Sequence, residues 1–196
     1  QVIKDHKRVI FNGDNYSSEW HEEAERRELP NLRSTVDALP ALKARKSQSM
    51  FSRYKVLSKA ELESRYNIFV EKYIKMVSIE AEQMLLMAKT MLLPASLEHQ
   101  GRVAETVAAT MAADADAGTA SRQLERVVGL VTDLVEATEE LDRAVDDEDG
   151  DPEKHARHLQ LTVIPLMERL RSAADALESV VASDLWPLPT YREMLF

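Results

Sequence analysis

Asp147-Glu148-Asp149-Gly150-Asp151 is the densest group of potential metal ligands in the chain. A calcium-binding hand needs oxygen ligands at alternate positions, a glycine at the sixth and a bidentate glutamate at the twelfth. Counted from Asp147, the sixth residue is Pro152 and the twelfth is His158. The register fails, and the segment reads as a solvated turn between helices. His155 and His158 stand one helical turn apart, which suits two imidazoles on one metal, but no third ligand has matching spacing and cysteine is absent. Asn12-Gly13-Asp14-Asn15 has one glycine where a phosphate-cradling loop needs several and a helix amino terminus behind them. It reads as a turn. No serine sits in a glycine-flanked nucleophile motif, and the many glutamates lie on amphipathic helices, where they form solvated faces. The methionines Met76, Met84, Met87 and Met91 fall at helical spacing beside Leu85 and Leu92, which predicts core packing ahead of a plastic binding groove. The residue chemistry therefore assigns this chain no catalytic, cofactor-binding or metal-binding residue.

The elements that would carry such residues are helices. Five glycines and no cysteine accompany abundant Ala, Leu, Glu, Met and Arg, so disulfide scaffolds and thiolate sites are excluded and strand-rich folds are disfavoured. The expected class is all-α. Residues 1–56 read as short helices and loops. The first eleven resemble the end of a helix that begins upstream, Ser17 or Ser18 caps a helix reaching about Glu28, and Ser34-Thr35-Val36-Asp37 opens at most two turns before Pro40. Ser58-Lys59-Ala60-Glu61 is a capping box, with Leu57 and Leu62 placed as its hydrophobic staple.

From there residues 57–185 predict an antiparallel bundle of long helices. The first stripe runs Leu62, Tyr66, Phe69, Tyr73, Met76, Val77, Ala81, Met84, Met87, Ala88, Met91 and Leu92. Pro94 is expected to kink or end that helix. Leu124, Val127, Val131, Leu134, Thr138, Leu141 and Val145 form a second seam, and Leu159, Val163, Leu166, Leu170, Ala173, Leu177 and Val180 a third, bent at Pro165. The second and third should pair as a hairpin with the acidic turn at its tip. Residues 186–196 form a carboxyl-terminal tail rich in apolar groups. Trp186, Pro187, Leu188, Tyr191, Leu195 and Phe196 are expected to dock it or to form an interface, with the prolines stiffening the segment.

Charge narrows the partners. Residues 1–56 hold eleven basic and eight acidic groups, while residues 57–196 hold fourteen and twenty-six. An acidic helical body repels nucleic acid, and no apolar run is long enough to cross a bilayer. Neither nucleic acid nor membrane is an expected partner, and a cytoplasmic setting is. A stand-alone helical adaptor, recognised through the Met stripe or the heptad seams, is one function compatible with these elements.

Both ends of the chain carry longer words. Lys4-Asp5-His6-Lys7-Arg8-Val9-Ile10-Phe11-Asn12-Gly13-Asp14, then Tyr16-Ser17, resembles type III glutamine synthetases just after their catalytic domain. So do the stretch from Leu29-Pro30-Asn31-Leu32-Arg33 to Pro40, and Leu62-Glu63-Ser64-Arg65-Tyr66. The closing Trp186-Pro187-Leu188-Pro189-Thr190-Tyr191-Arg192-Glu193-Met194-Leu195-Phe196 is similar to that family's carboxyl terminus. The resemblance is close over residues 1 to about 95 and over the last twelve or so; between them it lies in the helical pattern. It implies a parent cytoplasmic ligase that joins ammonia to glutamate through γ-glutamyl phosphate, with ATP and magnesium or manganese, in a ring-shaped homo-oligomer. The metal-holding carboxylates, substrate loop and phosphate-binding arginines of that family lie upstream of the matching words. On the resemblance, residues 1–56 would link to the catalytic domain, and the whole chain would serve in scaffolding, subunit contact or regulation without chemistry of its own.

Overall fold

A computed structural model describes residues 1–146, 150–189 and 191–195, apart from the side chains of Tyr191 and Arg192. Asp147, Glu148 and Asp149, most of the acidic turn named above, lie outside the described residues, as do Thr190 and Phe196. Every regular element among the described residues is helical. The chain forms two compact units, residues 1–67 and 68–196.

The first unit is built from short pieces. Helix α1 (Val2–Asp5) is followed by a 3-10 turn (Lys7–Val9), then by α2 (Ser18–Arg26), α3 (Thr35–Ala38), α4 (Pro40–Lys43) and α5 (Arg45–Arg53). Ser17 accepts the Trp20 amide hydrogen at the start of α2, and Ser34 accepts that of Asp37 at the start of α3. Pro40 ends α3 and occupies the first position of α4, where its missing N–H goes unneeded. With so few long apolar stripes, arginine–carbonyl bonds do part of the tying. Arg8 donates to the carbonyls of Arg27 and Glu28 at 2.7 and 2.8 Å, and Arg27 donates back to those of Arg8 and Ile10 at 3.0 and 2.7 Å.

On α2, Arg26 and then Arg27 hold the Glu23 carboxyl well below its ordinary 4.5, at about 2. A depressed carboxyl adds stability that is complete above its unfolded value and fades as pH falls through the folded one. The first unit is therefore expected to lose the Glu23 contribution between about pH 4.5 and about pH 2. A carboxyl NMR titration of Glu23 checks this, and Glu23→Gln should remove that part of the acid limb. A Glu23 midpoint at the ordinary value would refute it.

Helix α6 (Lys59–Met87) opens on the capping box: the Ser58 amide donates to the Glu61 carboxylate at 2.7 Å, and the Glu61 amide to Ser58 Oγ at 3.3 Å. The second unit continues with a π turn (Ala88–Leu92), α7 (Leu93–Ala112), α8 (Gly118–Val145), α9 (Pro152–His158), a second π turn (Leu159–Val163), α10 (Ile164–Glu178) and the short α11 (Tyr191–Leu195). Helix α8 packs against both α7 and α10. Its pairing with the α9–α10 line is antiparallel. The His158 ring bonds the Ala144 carbonyl at 2.8 Å near the tip, and Arg169, further along, meets Glu140 and Glu136. One core runs through Leu85, Ala88, Leu92, Val127, Val131, Leu134, Leu141, Leu159, Val163, Leu170 and Leu177.

Two sequence expectations change here. Pro94 and Pro165 interrupt their α-helices as a π turn: each is the second residue of a new α-helix immediately after one. The amide of Leu93 donates five residues back to the Ala88 carbonyl, and that of Ile164 to Leu159. Proline lacks the N–H that an α-turn would use, and its ring crowds the carbonyl four residues earlier; a widened turn accommodates both. The second change concerns α6. Its buried face is Leu62, Tyr66, Val70, Val77, Ala81 and Leu85, whereas Phe69 and Met76, assigned to the stripe above, are exposed. Apolar residues on two sides of one helix give periodicity two equally regular solutions, and packing selects one.

Candidate contact site

The carboxyl-terminal segment is positioned by α10 and α7. After α10 ends, Val181 is buried, and the amides of Leu185 and Trp186 both donate to the Ala182 carbonyl, at 2.9 and 3.1 Å. This tight turn lays Leu185, Trp186 and Leu188 against the bundle core. Arg102 on α7 donates to the Asp184 carboxylate at 2.7 Å and to Glu98 at 2.9 Å, and the Arg102 hydrogen bond holds the Asp184 carboxyl below its ordinary value. Both partners are well exposed, so this pair fixes direction more than it stabilises.

Beside Trp186 and Leu188 lies an apolar groove of about 730 Å³. Met84, Met87 and Leu92 form one wall and Ile164, Met167 and Leu170 another, with Met194 of α11 also lining it. The first π turn abuts the groove through Ala88 and Leu92, and Ile164, the first residue of α10, lines it too. Glu80, Glu168, Asp175 and Glu178 stand around it, and Arg171 bonds Asp175 at 2.7 Å. The surroundings are therefore acidic. Trp186 Nε1 is buried without a hydrogen-bond partner among the described residues, as are both ring nitrogens of His99, next to Asp184.

Of the residues expected in the tail, Trp186 and Leu188 share this site, Pro187 is exposed, and Leu195 points to solvent. Tyr191 opens α11, but its side chain, like Phe196, lies outside the described residues. Met84 and Met87 line the groove half-buried. Sequence reasoning missed Ile164 and Met167 as their counterparts, because the opposite wall comes from a helix some eighty residues away. His99 was also missed; a lone histidine on an amphipathic helix carries no signal of its surroundings.

The other candidates separate. Asp14 closes the Asn12–Asn15 segment as a turn, accepting the Tyr16 amide at 2.9 Å through its side chain and the Ser17 hydroxyl at 2.7 Å through its carbonyl. His158 is spent on the Ala144 carbonyl. Among the described residues no three His, Asp or Glu side chains converge as a metal site requires. Those described side chains do not form a seat for a nucleotide-bound metal. No helix among the described residues is long and apolar enough to cross a membrane.

Residues 1–111 match the family model described as the glutamine synthetase C-terminal domain. The chain belongs to the glutamine synthetase C-terminal domain family. Over its full length it is 38% identical to a type-3 glutamine synthetase of Dictyostelium discoideum and 32% identical to a glutamine synthetase of Butyrivibrio fibrisolvens. It is 29% identical, over 96% of its length, to a glutamine synthetase of Bacteroides fragilis. It spans only 27–29% of the length of these relatives. The family match ends at residue 111, so α8–α10, the tail and part of the groove's lining lie beyond it, while the relatives align through them.

Proposed function

We propose that this glutamine synthetase C-terminal domain is the contact and scaffolding region of a glutamate–ammonia ligase, with no chemistry of its own. The observation that carries the reading is the seating of Leu185, Trp186 and Leu188 on the bundle core beside an open apolar groove. Such a surface orders a chain end and leaves apolar area for a neighbour, which is the anatomy of a contact site. The ligase would be a cytoplasmic homo-oligomer whose catalytic portion binds ATP and magnesium or manganese, activates glutamate as its γ-glutamyl phosphate and admits ammonia. This domain would brace that portion or a neighbouring subunit. Membership of the family favours this over the stand-alone adaptor.

The test uses the ligase with and without residues 186–196. The truncated enzyme is expected to elute as smaller species and to lose glutamine synthesis in proportion, while the 196-residue chain alone shows no γ-glutamyl transfer with ATP and metal. Normal assembly by the truncated enzyme would refute the contact role of the tail. Transfer by the isolated chain would refute its chemical silence.

A further inference from the structure

Within the second unit, α6 presents a side that the bundle leaves uncovered. Ile68, Lys72, Lys75, Ile79, Glu82 and Leu86 are all exposed, and the three apolar members are 54–64% accessible. Their spacing alternates four and three residues. At about 100° per residue they fall within a sector of about 80°, the narrow seam of a two-helix contact. The seam is about 27 Å long at about 1.5 Å per residue. Lys72, Lys75 and Glu82 form no ion pair among the described residues.

We propose that this seam binds the same seam of a second copy of the chain, antiparallel, about a two-fold axis at Val77. That axis sets Ile68 opposite Leu86 of the second copy, so apolar ends meet at both extremes. It sets Lys72 opposite Glu82 of the second copy, giving opposite charges at both symmetry-related positions. Lys75 falls beside Ile79 of the second copy, where its aliphatic stem covers the isoleucine and its ammonium reaches water. A parallel pairing would set Lys72 against Lys72 and Glu82 against Glu82. The order of residue types along α6 thus selects the antiparallel over the parallel pairing, and the two-fold axis closes the contact between two copies. This deepens the contact role proposed above, which it presupposes, by naming one surface and its occupant.

The test is sedimentation equilibrium on the full 196-residue chain. The unaltered chain is expected to dimerise, and Ile79→Asp with Leu86→Asp to leave a monomer with an unchanged helical spectrum and Tm. Lys72→Glu or Glu82→Lys alone should each weaken the dimer about tenfold, since like charges then face each other twice. Mixing those two single variants should yield a heterodimer as tight as the unaltered homodimer; in a parallel register neither single variant would be weaker than the unaltered chain, and the mixture would pair more tightly than it. A monomeric unaltered chain, a dimer indifferent to the aspartates, or a mixture that fails to pair would overturn the proposal. So would a monomer whose seam is bound in trans by the remaining part of the ligase. None of these bears on the tail truncation, so the two readings fail separately.

Discussion

Leu134→Ala is expected to destabilise the bundle by about 2–5 kcal/mol, and Leu170→Ala by a similar amount. Leu134 is fully buried on α8 and Leu170 is 2% exposed on α10, so each sits at the junction of the most extensive helix pair. Truncation removes the transfer energy of the lost methyl groups and leaves a hole that two long helices, locked by further seam residues on either side, are poorly able to close. Urea denaturation followed by circular dichroism reads the change as a shift of midpoint at nearly constant slope. A loss under about 1 kcal/mol at both positions would mean that the helices slide to refill the space.

Trp186→Ala is expected to cost about 2–3 kcal/mol, less than the figure for a fully buried aromatic because the ring is only partly covered. Trp186→Phe should cost far less, or nothing. The indole Nε1 is buried without a partner, a burden of about 1–3 kcal/mol that phenylalanine does not carry. The comparison separates packing from polarity: if the tail holds through apolar contact, phenylalanine suffices and alanine does not. Thermal melts of the three proteins check it. An alanine variant as stable as the parent would show that the tail's seat on the core contributes nothing.

The parts of the fold that were legible in the sequence are those decided by neighbours in the chain. The box at Ser58–Glu61 forms with both of its hydrogen bonds, and the seam Val127, Val131, Leu134, Thr138, Leu141 is buried along α8. On α8 the buried seam carries most of the apolar residues, with Val128 exposed beside it, so counting in threes and fours finds the core face. Helix α6 offered two such faces, and Phe69 and Met76 went to the wrong one. Apolar content announced the tail, but the groove could not be foreseen. Its walls come from α6, the first π turn, α10 and the tail, brought together only by packing. Of the metal-like words, Asn12–Asn15 closes as the turn its residues suggest, whereas His158 meets the Ala144 carbonyl on a neighbouring helix, a contact that no local pattern announces.

The two π turns also alter how positions along this chain should be counted. A turn closed over five residues in place of four carries one residue more than its α counterpart, so each is in effect a single-residue insertion absorbed without a loop. Beyond Leu92 and beyond Val163 the backbone hydrogen-bond ladder runs one residue late, although the buried positions Leu85, Ala88, Leu92 and Ser96, and Leu159, Val163, Leu170 and Leu177, keep spacings of three, four or seven. Matching this domain residue by residue to a relative with an unbroken helix there therefore requires a one-residue gap inside the helix, where a gap is ordinarily forbidden. The prolines at 94 and 165 mark where to place it.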